Sequence, residues 1–191
     1  MLCITDGLAQ AVSVGADAMQ GTEVSLAGML ECRERRAALQ ARLLAEYRCP
    51  LVSFSMNIPG PVKTNREIRA AFERGKTTLL ESLSQQNLLI RAQEESHRAT
   101  GDELILAVAA PTAGGALHLK ALTTQIEEEH PLGRLFDMDV IDDRGIKLSR
   151  PVFRKCLICG RQAQECARSR THSVAELQEA VKRLLILSAP R

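Results

Sequence analysis

The stretch HPLGRLFDMDVID, residues 130–142, decides how the chain is read. Leu135, Phe136, Met138, Val140 and Ile141 suit a buried strand, yet Asp137 and Asp139 are threaded between them, just after Gly133 and Arg134. Side chains alternate along a strand, so the two aspartates share one face while Phe136, Met138 and Val140 take the other. Their Cα atoms would lie roughly 6.5 to 7 Å apart. Two like charges ~5 Å apart repel by about 3 kcal/mol at an effective dielectric near 20. A divalent cation offsets that directly, and Mg²⁺ is commonly held by one or two carboxylates together with substrate phosphates. The same pair would also suit a solvent-facing edge strand.

Outward from this strand, DDRG (142–145) is a turn leading to a second short strand, IKLSR (146–150). Asp142 is read as a turn residue, and His130 as a structural helix-end residue ahead of Pro131. Upstream, ALHLKALTTQIEEEH has helical spacing, and LLIRAQEE (88–95) and ELILAVAA (103–110) form a strand pair around Thr100-Gly101. Thr64 and Glu67 form a capping box for a helix running to about Gln86. LVSFSMNI (51–58) alternates an apolar face, Val52, Phe54, Met56 and Ile58, with a polar one, Ser53, Ser55 and Asn57. SLAGMLECRERRAALQARLLAEY (25–47) is a helix capped by Ser25. A Cys- and Arg-rich loop spans about 151–171, and Ser173 with Glu176 opens a last amphipathic helix. Hairpins mixed with helices predict an α+β fold, a mixed sheet with flanking helices. Residues 1–20, weakly periodic, are expected to be a poorly ordered N-terminal extension, and 21–191 a single domain.

Composition narrows the function. The chain has 191 residues, 45% hydrophobic and 25% charged, as in ordinary globular proteins. A net charge of +2 gives no general electrostatic grip on nucleic acid, and 3% aromatics leave few stacking platforms. No apolar run reaches the ~20 residues that span a bilayer. The first 20 residues carry no Lys or Arg, so a secretory signal is not expected. A cytoplasmic protein with reduced cysteines is the expectation.

Three further groups carry chemistry. In SFSMNIPGPVKTN a Pro-Gly-Pro turn delivers Lys63 to a helix start, where an anion could bind, and Asn57 could orient a phosphate or hydroxyl. In CLICGRQAQECARSRTH, Cys156, Cys159, Cys166 and His172 could form a tetrahedral zinc site, though the cysteines could equally be small core residues. Arg134, Arg150, Arg168 and Arg170 could hold a polyphosphate. Arg33, Arg35 and Arg36 form a basic helix face, a candidate docking surface or simply a solvated one.

RERRAALQ, SFSMNIPGPVK, IEEEHPLGRLFDMDVID, LSR and CLICGRQAQECARSRTHS occur in this order from about Thr22 onward. In these motifs the chain resembles the apo-citrate lyase phosphoribosyl-dephospho-CoA transferase family, also called holo-citrate lyase synthase. The resemblance implies transfer of the 2′-(5″-phosphoribosyl)-3′-dephospho-CoA prosthetic group from its 5″-triphosphate, triphosphoribosyl-dephospho-CoA. The acceptor would be a serine of the citrate lyase acyl carrier (gamma) subunit, and pyrophosphate would leave. It implies Mg²⁺ on Asp137 and Asp139, with Arg134 and Lys63 on the triphosphate. The aspartate strand is also similar to the Asp-x-Asp strand of nucleotidyltransferase-like folds, with one departure: Gly133-Arg134 stands four residues before Asp137, where such enzymes often place Gly-Ser on a longer loop. The contrasting expectation is a zinc-stabilised, non-catalytic binding module that regulates lyase subunits.

Overall fold

The computed structural model of the chain describes residues 20–109 and 114–188, so the expected N-terminal extension lies almost wholly outside the described residues. Helix α1 (Leu26–Tyr47) starts at Ser25, whose side chain accepts the Gly28 N–H as a helix cap does. Strand β1 (Leu51–Met56) follows, then α2 (Arg66–Gln85), β2 (Leu89–Arg98), β3 (Gly101–Ala109), α3 (Gly115–Glu129), β4 (Phe136–Ile141), α4 (Ala163–Arg168) and α5 (Val174–Leu187). Among the described residues, no helix is long and apolar enough to cross a membrane.

The sheet order is β2-β3-β1-β4, and every neighbouring pair is antiparallel. The α+β class and flanking helices are as expected, but the mixed sheet is corrected to an antiparallel one. The reason is topological. Helix α2 carries the chain from β1 to β2 and α3 carries it from β3 to β4, and each crossover leaves one strand's width between the strands it joins. Co-directional strands are therefore separated by an antiparallel neighbour, the split βαβ arrangement of ferredoxin-like sheets.

The alternation read in the sequence sorts the two faces of the sheet. Val52, Phe54, Leu104, Leu106, Val108, Phe136, Met138 and Val140 face one way and pack with α2, α3 and α5 into the main core. Leu51, Ile105, Ala107 and Ile141 face the other way and meet Leu43 and Cys49 in a smaller core under α1. Fully burying one such side chain is worth ~1.5–3 kcal/mol, so the larger cluster dominates folding.

Some local expectations change. Asn65, not Thr64, caps α2, because its side chain accepts the Ile68 N–H at 2.9 Å. Thr64 instead donates to the buried Asp102 carboxylate, which also binds Arg69 and His97 and so ties the β2–β3 turn to α2. Residues 133–135 form a short 3-10 turn before β4. The second strand expected over 146–150 is reduced to one bridge, Ile141 with Lys147, because Asp142 accepts the Arg144 and Ile146 amides and closes a tight turn. The loop at 151–171 contains the short helix α4. The Ser173–Glu176 capping box is present as expected.

Gly75 sits in the middle of α2, where alanine would ordinarily favour the helix. A Cβ there would come within 2.7 Å of Phe54 and 2.8 Å of Phe136. Both rings belong to the central cluster, with Phe54 and Phe136 edge to face at 5.4 Å. We expect Gly75→Ala to destabilise the fold by ~1–3 kcal/mol in urea denaturation, as overpacking does. A stabilised variant would show that the rings yield freely.

Candidate active site

Asp137 and Asp139 share the face of the sheet that looks toward α1. Each is opposite a serine of β1, Ser55 for Asp137 and Ser53 for Asp139, and Ser55 is flanked on its other side by Glu103 of β3. The polar face of β1 therefore continues into the aspartates. Both carboxylates are half-buried. Asp139 pairs with Lys147 at 2.5 Å. Burial first, and then Asp139, push the Asp137 carboxyl above its usual range, while Arg154, Lys147 and Arg36 act against that shift. Two oxygen donors on one face with surplus negative charge fit a hard divalent cation.

Helix α1 contributes Arg36, whose Nε donates to Glu103 at 2.6 Å, and Gln40, whose amide donates to Ser53 at 3.0 Å. The basic group on α1 is thus divided. Arg33 and Arg35 are exposed, but Arg36 is turned in toward the sheet and neutralises Glu103.

The outer edge of β4 is closed by side chains, which blunts an edge that could otherwise pair with another chain. The buried carboxylate of Glu127 on α3 accepts the Met138 N–H at 2.7 Å. Lys120 donates to the Met138 carbonyl at 3.3 Å, and Arg154 donates to the Phe136 carbonyl. Glu127 also pairs with Arg150 at 3.1 Å and Arg154 at 3.2 Å. Desolvation raises the Glu127 carboxyl and lowers the Lys120 ammonium, and the opposite charges around each partly offset it. Gly133 packs against the C-terminal turn of α3, where a Cβ would approach the Glu127 backbone within 2.7 Å. Its lack of a side chain serves helix packing at that point.

Beside this edge is a cavity of about 650 Å³ between the Cys- and Arg-rich loop and the start of α5. It brings together Asn57, Arg134, Arg154, Lys155, Arg170 and His172 from distant parts of the sequence. The size suits a small-molecule site. Arg154 lines the cavity and is held there by Glu127 and the Phe136 carbonyl of β4.

The other expected binding residues lie elsewhere. Lys63 folds back to donate to the Ile58 carbonyl at 2.7 Å, and burial pushes its pKa down. Arg150 is engaged by Glu127 and Glu128 and lines a neighbouring hollow with Arg134 and Arg154. Arg168 is exposed at the end of α4. His130 accepts the Leu132 N–H and rests on the Phe136 ring at 4.8 Å, the structural role expected of it.

Cys156, Cys159, Cys166 and His172 converge, with one ligating atom from each lying within 4.8 Å of all the others. The His172 hydrogen bond, foremost among several, lowers the Cys159 thiol to about 6, and desolvation raises Cys166 to about 11. These four residues could hold a metal ion.

Arg36, Lys147, Glu127 and Arg154 were not singled out for the site from sequence. Glu127 had a signal: it follows Lys120 and Thr123 at helical spacing on a face that also buries Leu119 and Ile126. Lys147 stands just beyond the DDRG turn, which folds it back against β4.

The chain matches the family model described as apo-citrate lyase phosphoribosyl-dephospho-CoA transferase over residues 24–187. It is 39% identical over 166 residues to the protein of that name from Citrobacter koseri, covering 85% of this chain and 88% of the relative. It is 38% identical, with the same coverage, to the one from Escherichia coli O1:K1.

Two outcomes test the electrostatics of the site. A folded-state carboxyl with a raised pKa favours the fold while protonated, and that contribution is lost as pH rises above the ordinary carboxylate range near ~4. Asp137→Asn, in chelator, is therefore expected to raise the thermal midpoint at neutral pH and leave it unchanged near pH ~3. A lowered midpoint at neutral pH would show that Asp137 is already fully paired. Glu127→Gln leaves Arg154 without its anion and Arg150 with only Glu128, and should cost ~3 kcal/mol in urea denaturation. A loss under ~1 kcal/mol would mean that solvent compensates these charges.

Proposed function

Since this chain belongs to the apo-citrate lyase phosphoribosyl-dephospho-CoA transferase family, we propose that it moves the 2′-(5″-phosphoribosyl)-3′-dephospho-CoA group from triphosphoribosyl-dephospho-CoA to a serine of the citrate lyase acyl carrier subunit, with release of pyrophosphate. The observation that carries this reading is the carboxylate pair Asp137 and Asp139 on one face of β4, with a cavity lined by basic side chains beside that strand.

The acceptor hydroxyl oxygen attacks the α-phosphorus and gives its proton to solvent, and the bond from the α-phosphorus to the oxygen it shares with the β-phosphate breaks as pyrophosphate departs with that oxygen. Asp137 and Asp139 would hold Mg²⁺, which supplies neutralisation of phosphate oxygens and a lowered pKa for the attacking hydroxyl. Arg134, Arg154 and Arg170 neutralise and orient the polyphosphate from the cavity wall, and Asn57 orients a phosphate or hydroxyl there. Lys147 pairs with Asp139 and holds it in place. Arg36 and Glu103 neutralise each other and Lys147 offsets Asp139, so one negative charge remains as the surplus of that face. The likeness to nucleotidyltransferases rests on the Asp-x-Asp strand and this chemistry, not on the order of the sheet. Reduced cysteines suit a cytoplasmic setting.

A non-catalytic zinc module draws support from the Cys and His cluster. That cluster and the carboxylate pair are separate groups, so a metal on the first is compatible with transfer at the second.

The test is incubation of apo carrier with triphosphoribosyl-dephospho-CoA and Mg²⁺, read by intact mass of the carrier and by pyrophosphate release. Addition of one prosthetic group per carrier is expected. Asp137→Asn and Asp139→Asn should each slow it by more than ~100-fold while the fold persists. Arg170→Ala should raise KM for the donor and leave KM for the carrier unchanged. Wild-type rates in both aspartate variants would refute the site, and an unmodified carrier would refute the reaction.

A further inference from the structure

We propose that Cys156, Cys159, Cys166 and His172 form a closed structural zinc site that builds the wall of the basic cavity. The geometry matches a tetrahedral ion. A zinc with Zn–S of ~2.3 Å keeps its sulfurs about 3.8 Å apart. Here Cys159 and Cys166 have their sulfurs at 3.5 Å, and His172 Nε2 is 3.3 Å from the Cys159 sulfur. All four donor atoms fall within 4.8 Å of one another. Four protein ligands leave no open position, which marks a structural rather than a catalytic site.

The local chain also requires a cross-link. Residues 151–172 have little apolar core of their own, since Val152, Phe153 and Ile158 are exposed. Their regular structure is the Lys155–Gln162 bridge with the Cys156–Arg161 backbone bond, and the six-residue helix α4. The bridge makes Cys156–Cys159 the tip of a small hairpin, a two-residue spacing that lets both sulfurs face one ion. Cys166 comes from α4, and His172 immediately precedes Ser173, the cap of α5. One ion would therefore fasten hairpin, short helix and α5 together. Arg161 stands near enough to the Cys159 sulfur to help hold that thiol's pKa down, and brings positive charge beside a thiolate-rich site.

Another group, Glu73, Glu95 and His97, also converges. There the Lys76 ammonium already lies 2.6 Å from Glu73 and 2.7 Å from Glu95, so the cation is supplied by the chain. Cys156, Cys166 and His172 line the same cavity as Arg134, Arg154 and Arg170. Fixing the three ligands fixes the surface from which those arginines project. The site itself does not depend on the transfer reaction proposed above, and metal content is read without it.

The experiment is metal analysis of the full-length protein, purified under reducing conditions without chelator and again after loading with excess Zn²⁺ and gel filtration. About one zinc per chain is expected in the wild type and in Cys49→Ala, and less than about one-fifth in Cys159→Ser. Co²⁺ in place of zinc should give thiolate charge-transfer and intense tetrahedral ligand-field bands, absent in Cys159→Ser. Should that variant fail to fold, His172→Cys, which replaces one good ligand by another, should retain the metal with a shifted cobalt spectrum. Wild-type protein that holds no more zinc than Cys159→Ser after loading, or that shows a Cys159–Cys166 disulfide in place of metal, would overturn the proposal.

Discussion

The basic side of the molecule, from the edge of β4 to the cavity wall, depends on one buried carboxylate. Glu127 closes the open edge of β4 by accepting the Met138 amide, and its remaining charge draws in Arg150 and Arg154. Those two arginines belong to the segment that leaves β4 and becomes the Cys- and Arg-rich loop. Without that anchor the loop would have little reason to lie against the strand, because its own apolar residues are largely exposed. Burying such a charge is costly, and the fold meets the cost with a backbone amide and three cations around it. Stability and the shape of the cavity thus come from the same interaction.

A division of labour follows between the two faces of the sheet. The side under α2, α3 and α5 is apolar and close-packed, with Phe54, Phe72 and Phe136 stacked or edge to face at its centre. The side under α1 is half apolar and half polar, and its polar half holds Ser53, Ser55, Glu103, Asp137 and Asp139. Helix α1 reaches this half through Arg36 and Gln40, so it contributes to the site as much as to the core.

Much of this was legible in the sequence. Period-2 alternation located β1 and β4 and set the two aspartates on a common face, because that periodicity is a property of the backbone and needs no tertiary information. Ser25 and the Ser173–Glu176 box marked their helix starts for the same local reason. What escaped was long-range. Lys63 looked like an anion ligand because it precedes a helix, but the Ile58 carbonyl captures it. Gly133 stands just ahead of the aspartates in sequence, but its missing side chain serves packing, because α3 takes the space. The antiparallel sheet depends on which strand slots between which, and no short motif encodes that. Arg134 and Arg170 share a cavity, while Arg168, two residues from Arg170, lies outside its wall, a difference set by the end of α4.

The strict alternation along β4 gives this segment an unusual kind of fragility. Phe136, Met138 and Val140 are chosen by the need to fill space, Asp137 and Asp139 by charge, and neither set restrains the other's chemistry. What both sets share is the count of residues between them. Insertion or deletion of one amino acid within Phe136–Ile141 would exchange the sets, driving carboxylates among phenylalanine rings and leaving bulky hydrocarbon in their place. The length of this strand is thus held more tightly than the identity of any single residue in it.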